Sequence, residues 1–128
     1  MTSELHPKLF VSDADAAIDF YTTTLDATLD LRVADDHRVV HHAEIILGSA
    51  ILALAQSVPE WGWNTPGSVG GTPVLITANV SDPDATAERM VHRGAELVIP
   101  VENRPYGKRQ GRVRDPFGHL WVISGPLR

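Results

Sequence analysis

The chain has 128 residues, of which 43% are hydrophobic and 21% charged, and its formal net charge is −5. These values are typical of one soluble globular domain and exclude intrinsic disorder, collagen and coiled coils. The acidic balance argues against a general nucleic-acid-binding surface, which needs excess positive charge. The sequence contains no cysteine, so disulfides, thiolate metal ligands and cysteine nucleophiles are excluded.

Neither a membrane span nor a targeting segment is predicted. The longest uninterrupted apolar run, Ala50 to Ala55, is far shorter than the roughly 18 residues that a membrane span needs. The N-terminal residues lack the basic and apolar regions of a signal peptide. Together with the absence of cysteine, these features lead us to expect a cytoplasmic protein that binds neither nucleic acid nor a membrane.

The first half of the chain predicts a strand, a helix and three further strands. The strand covers about residues 7–11, and Asp13 is the predicted N-cap of the helix. The apolar positions of the helix follow the helical period: Ala14, Ala17, Ile18, Tyr21 and Leu25. The three further strands cover about residues 28–33, 40–47 and 50–55.

The second half predicts the same series again. Asp82 is the expected N-cap of its helix, Pro83 the first helical residue, and Gly94 lies just past the helix end. We expect this helix to bury Ala87, Met90 and Val91. Strands over about residues 96–101, 110–114 and 119–124 follow, and the last two are joined by the turn sequence DPFG.

An internal repeat supports this interpretation. The sequence VSDADAA at residues 11–17 matches VSDPDAT at 80–86 in five of seven positions, with an offset of 69. The segment GSAILAL at 48–54 likewise precedes GHLWVIS at 118–124 by 70 residues. We predict a single domain, residues 1–128, of two βαβββ modules at about 1–60 and 70–128. The linker, about 56–71, carries Trp61 and Trp63; it is either a lid over a binding site or a loop pinned by its tryptophans.

Several stretches of the sequence resemble the vicinal oxygen chelate superfamily: PKLFVSDADAAIDFY, HAEIILGSAILAL, GGTP and GRVRDPFGHLWVIS. This superfamily includes glyoxalase I, extradiol dioxygenases, fosfomycin-resistance transferases and bleomycin-resistance proteins. The chain is most similar to its poorly characterised glyoxalase-like branch. The resemblance implies an α+β fold in which two βαβββ modules form a curved, cupped mixed sheet, with helices on the convex face and a ligand in the concave one. It also implies a homodimer.

The resemblance further implies where a metal would be held. In metalloenzymes of this superfamily each module supplies one ligand from its first strand and one from its last. The equivalent positions here are His6, Leu52, Leu75 and Val122. Only His6 can bind a metal, and a divalent ion needs three or four such ligands. We therefore expect no metal cofactor; the alternative is a divalent metal held by His6 with His42 or Glu44 as non-standard ligands.

Strand alternation then predicts which side chains face the cavity. The polar set comprises His6, Lys8, His42, Glu44, Arg112 and Arg114, and the apolar set comprises Phe10, Leu52, Leu54, Leu75, Leu120 and Val122. His41 is expected on the face opposite His42. The two arginines are the expected repeat partners of His42 and Glu44. They suit a carboxylate or phosphate, unless Arg114 simply pairs with Glu44.

These features predict a protein that binds a small organic ligand without a metal, with sequestration of an aromatic natural product or antibiotic as its role. The expected ligand-binding residues are His6, Phe10, Trp61, Trp63, Arg112 and Arg114. The alternative is an enzyme of the same superfamily: a metal-dependent lyase, isomerase or dioxygenase, or a metal-free enzyme with His42 or Glu44 as general base. The sequence leaves the choice between binding protein and enzyme open.

Overall fold

The computed structural model describes residues 3–128. The chain divides into two compact units, Met1–Thr65 (unit 1) and Pro66–Arg128 (unit 2). Each unit contains one α-helix and one four-stranded mixed sheet, which confirms the predicted α+β class and its two βαβββ modules. No helix within residues 3–128 is long and apolar enough to cross a membrane.

Unit 1 consists of β1 (Lys8–Val11), α1 (Ala14–Thr24), β2 (Thr28–Ala34), β3 (Val40–Leu47) and β4 (Ala50–Gln56). The strand order is β1-β4-β3-β2; β1 is parallel to β4 and the other pairs are antiparallel. The helix begins as predicted, because the Asp13 carboxylate accepts a hydrogen bond from the Ala16 N–H at 3.1 Å. All five predicted apolar positions of the helix region are buried.

Unit 2 consists of β5 (Leu75–Asn79), α2 (Pro83–His92), β6 (Glu96–Asn103), β7 (Arg109–Arg114) and β8 (Leu120–Gly125), in the strand order β5-β8-β7-β6. Asp82 caps α2 as predicted. The expectation that Val91 is buried is wrong, since it is 41% exposed. The buried stripe of α2 runs through Pro83, Ala87 and Met90, and Val91 lies one residue beyond it, about 100° further around the helix.

The segment between β4 and β5 is ordered rather than open. It contains two short 3₁₀ turns, Pro59–Trp61 and Pro66–Val69. Val58 and Trp63 exchange backbone hydrogen bonds of 2.9 and 3.2 Å, which closes the first part into a small loop within unit 1. This loop gives Trp61 and Trp63 fixed positions in unit 1.

The sheet of unit 1 has one face against α1 and one face away from it. Leu9, Leu54 and Ala43 form a row across β1, β4 and β3, and all three are buried. Side chains alternate along each strand, so the neighbouring row of Lys8, Ala53 and Glu44 lies on the opposite face. We call this the open face of unit 1.

The register corrects one expectation from the repeat. Leu52 and Leu54 pair with the buried Ile45 and Ala43, so they belong to the helix side and not to the open face. Ala53, which pairs with Lys8, is the equivalent of Val122, which pairs with Thr77. The equivalence of Leu52 and Val122 was counted from the turn glycines Gly48 and Gly118. This count is one residue short in unit 1, because the β3–β4 hairpin has one more residue pair before the row of Ala53 than the β7–β8 hairpin has before the row of Val122.

Candidate functional site

The open face of unit 1 carries an aromatic cluster of Phe10, Trp61 and Trp63. Phe10 and Trp63 are stacked, with ring centroids 4.9 Å apart and an interplanar angle of 17°. Trp61 meets Trp63 edge to face at 5.1 Å. Trp63 is half-buried, whereas Trp61 is 58% exposed. The cluster thus combines a ring fixed against the sheet with a ring that offers its surface to solvent.

Lys8 lies beside this cluster on the same face. Its Nζ atom is 4.5 Å from the centroid of the Trp63 ring, and it donates hydrogen bonds to the His41 carbonyl oxygen and to His42 Nδ1, both at 3.1 Å. Within residues 3–128 no carboxylate forms an ion pair with Lys8. Partial burial lowers the pKa of Lys8 below its ordinary value, because desolvation disfavours the ammonium form.

His42 is held by Glu44. The His42 Nε2 atom lies 2.8 Å from Glu44 Oε2, and the side chains are 36% and 23% exposed. An ionised carboxylate can only accept hydrogen bonds, so Nε2 carries the proton and Nδ1 presents its lone pair to the Lys8 ammonium. Lys8, His42 and Glu44 therefore form a hydrogen-bonded chain of amine, imidazole and carboxylate, which we call the Lys8 chain.

The expectation that His41 lies opposite His42 is wrong. In the β2–β3 pairing Val33 opposes His42, but Ala34 opposes Val40, so His41 is the extra residue of a β-bulge. The bulge breaks the strict alternation on which the expectation depended. The His41 ring lies 5.2 Å from the Trp61 ring, and its Nε2 atom is 2.8 Å from Asp35 Oδ2. His41 thus supports the exposed ring of the aromatic cluster.

His6 is not part of the Lys8 chain. It precedes β1, its side chain is 40% exposed, and its Nε2 atom lies 3.1 Å from Glu4 Oε2. The corrected last-strand position, Ala53, offers no lone pair, like Leu75 and Val122. Across residues 3–128 no group of three His, Cys, Asp or Glu side chains is arranged to hold a metal ion. The residues present therefore do not fit a divalent-metal site of the kind that the resemblance implies.

Most of the arginines of unit 2 have partners within that unit. The Arg114 guanidinium lies 2.8 Å from Glu96 Oε1, and within unit 1 Glu44 bonds to His42. Arg109 makes two hydrogen bonds to the Asp84 carboxylate at 2.7 and 2.9 Å. Arg104 donates to backbone carbonyl oxygens. Arg114 is therefore not a free anion-binding group.

Arg112 differs from these residues. Its Nε atom is buried and has no hydrogen-bond partner among the described residues. Arg112 pairs with Val122, so it lies on the face of the unit 2 sheet that is equivalent to the open face. It lines a cleft of about 180 Å³ together with Ile99, Arg104, Tyr106, Gln110, Gly111 and Val122. The residue of unit 1 that is equivalent to Arg112 is Glu44, and the residue of unit 2 that is equivalent to His42 is Gln110. The prediction that Arg112 and Arg114 are the repeat partners of His42 and Glu44 is therefore wrong by two residues.

Strand alternation predicted that Phe10, His42 and Glu44 share one face, and the structure brings them together with Trp63 on the open face of unit 1. Alternation also placed Lys8 there without giving it a role. Lys8 and Phe10 are two residues apart on one strand, and this spacing indicated that the amine and the aromatic ring share a face. The contact of His41 with Trp61 had no such signal, because a bulge is not visible in the alternation of residue types.

Comparisons with known proteins agree with this fold. Residues 5–123 match the family model of the Glyoxalase/Bleomycin resistance protein/Dioxygenase superfamily. An uncharacterised protein of Mycobacterium bovis is 41% identical in an alignment that covers 97% of this chain and 84% of the relative. The crystal structure of TioX from Micromonospora sp. ML1 is 29% identical, with a TM-score of 0.75, and the match covers 98% of this chain and 100% of that one.

A glyoxalase/bleomycin resistance protein/dioxygenase from Nocardioides is 26% identical, with a TM-score of 0.65 over 100% of this chain and 87% of that one. The family match spans both units of the chain. The protein thus belongs to the Glyoxalase/Bleomycin resistance protein/Dioxygenase superfamily.

Proposed function

We propose that the open face of unit 1 binds a small, flat organic molecule without a metal ion. The observation that carries this proposal is the aromatic cluster, in which Trp63 is fixed against Phe10 while Trp61 remains 58% exposed. A flat ring system gains both apolar burial and offset stacking on such a surface. The Lys8 chain beside it supplies polar groups that orient a ligand, and this combination is typical of small-molecule sites.

The role that fits such a site is sequestration of an aromatic natural product or antibiotic. The superfamily description names bleomycin resistance proteins, which supports this role without identifying the molecule. Arg112, with its buried and unpartnered Nε atom, is the group that we propose for an anionic part of a ligand in unit 2. His6 is exposed and bonds to Glu4, and among residues 3–128 it makes no contact that favours its predicted role in binding.

We further propose that the protein is a cytoplasmic homodimer. The edge strand β2 of the unit 1 sheet exposes three apolar side chains, Leu29, Leu31 and Val33, by 41%, 41% and 49%. Apolar groups on an unpaired sheet edge favour association with another chain. Size-exclusion chromatography with light scattering tests this directly, and a monomer mass would contradict it.

Tryptophan fluorescence tests the ligand site. Titration of the protein with a panel of planar aromatic compounds should quench its emission saturably, after correction for absorption with free N-acetyltryptophanamide. The Trp61→Ala and Trp63→Ala variants should each weaken the apparent affinity by about tenfold, the effect of losing a stacking contact of roughly 1–1.5 kcal/mol. A double W61F/W63F variant retains only Trp121, which is buried in unit 2, as emitter and internal control. The proposal would be overturned if none of the compounds quenched the emission saturably.

A second candidate function is a metal-free acid–base enzyme. The Lys8 chain favours it, because an imidazole oriented by a carboxylate is the usual form of a general base. A metal-dependent lyase, isomerase or dioxygenase would need a ligand set that His6, His42 and Glu44 do not form in unit 1. Turnover of a confirmed substrate that is lost in His42→Gln but unchanged by chelators would favour the metal-free enzyme.

A further inference from the structure

The Lys8 chain has the arrangement of an activated nucleophile. A nucleophile within hydrogen-bond reach of a base, with the base oriented by a third group, is the common feature of enzymes that form covalent intermediates. Here the amine of Lys8 is 3.1 Å from His42 Nδ1, and His42 Nε2 is 2.8 Å from Glu44. The order of the groups is amine, imidazole and carboxylate, so each of them can pass a proton to the next.

We propose that Lys8 is a nucleophile that captures an aldehyde or ketone carbonyl of a bound ligand as an imine. In this assignment His42 is the base that takes the proton of the Lys8 ammonium, and Glu44 is a positioning residue that orients His42. The inference rests on the proposed function, because it names the chemical class of the molecule that the open face of unit 1 binds. It adds a covalent step to that binding.

The step is balanced without any further reactant. His42 Nδ1 accepts one proton from the Lys8 ammonium, and Glu44 stabilises the resulting imidazolium through Nε2. The free amine forms a carbon–nitrogen bond to the carbonyl carbon as the carbonyl π bond breaks, and one of the two protons on nitrogen passes to the carbonyl oxygen to give a neutral carbinolamine. The carbon–oxygen bond then breaks, the imidazolium returns its proton to the leaving hydroxyl, and water departs. The products are a protonated imine, which keeps the positive charge of the original ammonium, and water.

The surroundings of Lys8 favour this chemistry. Its hydrogen-bond acceptors are His42 Nδ1 and the His41 carbonyl oxygen, so no carboxylate in direct contact holds the amine in its charged form. Partial burial lowers the pKa of Lys8, which raises the fraction of reactive amine. The Trp63 ring at 4.5 Å places a flat apolar surface next to the amine, where an aromatic group attached to the carbonyl would stack.

The chain offers a matched control, since its only other lysine is Lys108. Lys108 is exposed in unit 2 and takes no part in the Lys8 chain. The test incubates the full-length protein with 2-naphthaldehyde and sodium cyanoborohydride between pH 6 and 9, and it follows adducts by intact mass and peptide mapping. Peptide mapping separates Lys8 from Lys108 and from the α-amino group. At pH 7 we expect Lys8 to be labelled at least about tenfold faster than Lys108.

Three variants examine the assigned roles. Lys8→Arg keeps the positive charge and should abolish labelling at this position, because a guanidinium forms no imine under these conditions. His42→Gln should slow labelling of Lys8 by roughly a hundredfold, the low end of what a positioned base contributes. Glu44→Gln should slow it less and shift its pH profile to lower pH, because loss of the neighbouring negative charge lets the imidazolium and the ammonium give up their protons more readily. Lys108→Arg should leave the labelling of Lys8 unchanged.

The outcomes separate this inference from the proposed function. The alcohol analogue, 2-naphthalenemethanol, has the same flat ring but no carbonyl, so its saturable quenching of Trp61 and Trp63 reports binding alone. Quenching by the alcohol combined with equal labelling of Lys8 and Lys108 would overturn the inference and leave the proposed function intact. Selective labelling of Lys8 without quenching by any flat compound would overturn the proposed function instead. A rate for Lys8 that is insensitive to His42→Gln and Glu44→Gln would also overturn the inference.

Discussion

Glu44 and Arg112 occupy equivalent positions in the two units and carry opposite charges. Glu44 forms a row with Ala53 and Lys8 in unit 1, and Arg112 forms the corresponding row with Val122 and Thr77 in unit 2. The helix caps Asp13 and Asp82 have meanwhile stayed the same. The two copies therefore keep the chemistry that builds the fold but differ in the chemistry on their sheets. We expect the two sheets to interact with different chemical groups.

Arg112 is the first place where this expectation can be checked. A carboxylate in its cleft would satisfy the buried Nε atom, and a charge-assisted hydrogen bond of this kind contributes roughly 1.5–3 kcal/mol. Arg112→Gln should therefore weaken binding of benzoate by about tenfold or more, as measured by NMR titration. Arg114→Gln is the matched control and should have little effect, because Arg114 already pairs with Glu96. Equal affinity for benzoate and neutral benzamide would contradict the prediction.

Thermal melting in the presence of metals checks the metal-free proposal. After chelator treatment, added nickel, zinc, manganese or ferrous iron should produce no metal-selective rise in the melting temperature, because His6, Ala53, Leu75 and Val122 supply one ligand among four positions. A metal that binds only the folded state would stabilise it by roughly 3–4 kcal/mol at 100–1,000 times its dissociation constant. A selective rise of this size that is lost in His6→Ala would restore the metal-dependent alternative.

The Asp84–Arg109 pair should make unit 2 sensitive to acid. The two hydrogen bonds from Arg109 hold the pKa of Asp84 below its usual range. A carboxylate whose pKa is lowered on folding contributes stability above its unfolded pKa of about 4, and this contribution is lost as the pH falls through the lower folded value. Asp84→Asn should therefore lower the melting temperature at pH 7 and should flatten its decline between about pH 5 and 2.

Asp15 provides a control for this prediction. It makes two similar hydrogen bonds to Arg32, at 2.8 and 2.9 Å, and they likewise lower its pKa. These side chains are 61% and 38% exposed, whereas Asp84 and Arg109 are 22% and 17% exposed. Solvent weakens an exposed pair, so Asp15→Asn should have the smaller effect. Equal changes in the melting profiles of Asp15→Asn and Asp84→Asn would contradict the interpretation that shielding from solvent determines how much each ion pair stabilises the fold.

Structural features that depend only on neighbouring residue types could be predicted from the sequence, whereas features that depend on how strands pair could not. Asp13 and Asp82 as helix caps are local, and both predictions were confirmed because a carboxylate three residues before a backbone N–H is determined by the chain itself. The place of Ala53 opposite Lys8 is not local. It depends on the number of residue pairs in the β3–β4 hairpin, and one extra pair moves every later side chain to the other face.

The same difference between local and non-local features decides which residues of the candidate site could be predicted. Alternation along β1 and β3 placed Lys8, Phe10 and Glu44 on one face, because these strands are regular over those residues. Alternation gave the wrong face for His41, because a bulge adds a residue there and the residue types of the strand do not indicate a bulge. The stacking of Trp63 on Phe10 depends on the closed loop between Val58 and Trp63, a tertiary feature that the linker sequence left open between a lid and a pinned loop.

Among the variants considered, a substitution of Asp115 in the turn between β7 and β8 should cause the largest loss of stability. Asp115 is 3% exposed; its Oδ1 accepts hydrogen bonds from the backbone N–H groups of Phe117 and His119, at 2.9 and 3.0 Å. Its Oδ2 accepts from Trp121 Nε1 at 2.9 Å. Asp115→Ala would leave buried donors without acceptors, and each hydrogen bond to a charged group contributes roughly 1.5–3 kcal/mol. We therefore expect the free energy of unfolding to fall by about 3 kcal/mol or more, measured by urea denaturation at pH 7.

Two further variants divide this loss between the turn and the indole. Asp115→Asn keeps an oxygen for the two backbone donors but turns its amide N–H₂ toward Trp121 Nε1, which is also a donor, so its cost should be smaller than that of Asp115→Ala. Trp121→Phe also loses the indole hydrogen bond, together with some packing of a ring that is 1% exposed. If Asp115→Ala cost less than about 1 kcal/mol, these hydrogen bonds would not stabilise the folded state, and packing of Trp121 alone would hold the turn against the sheet.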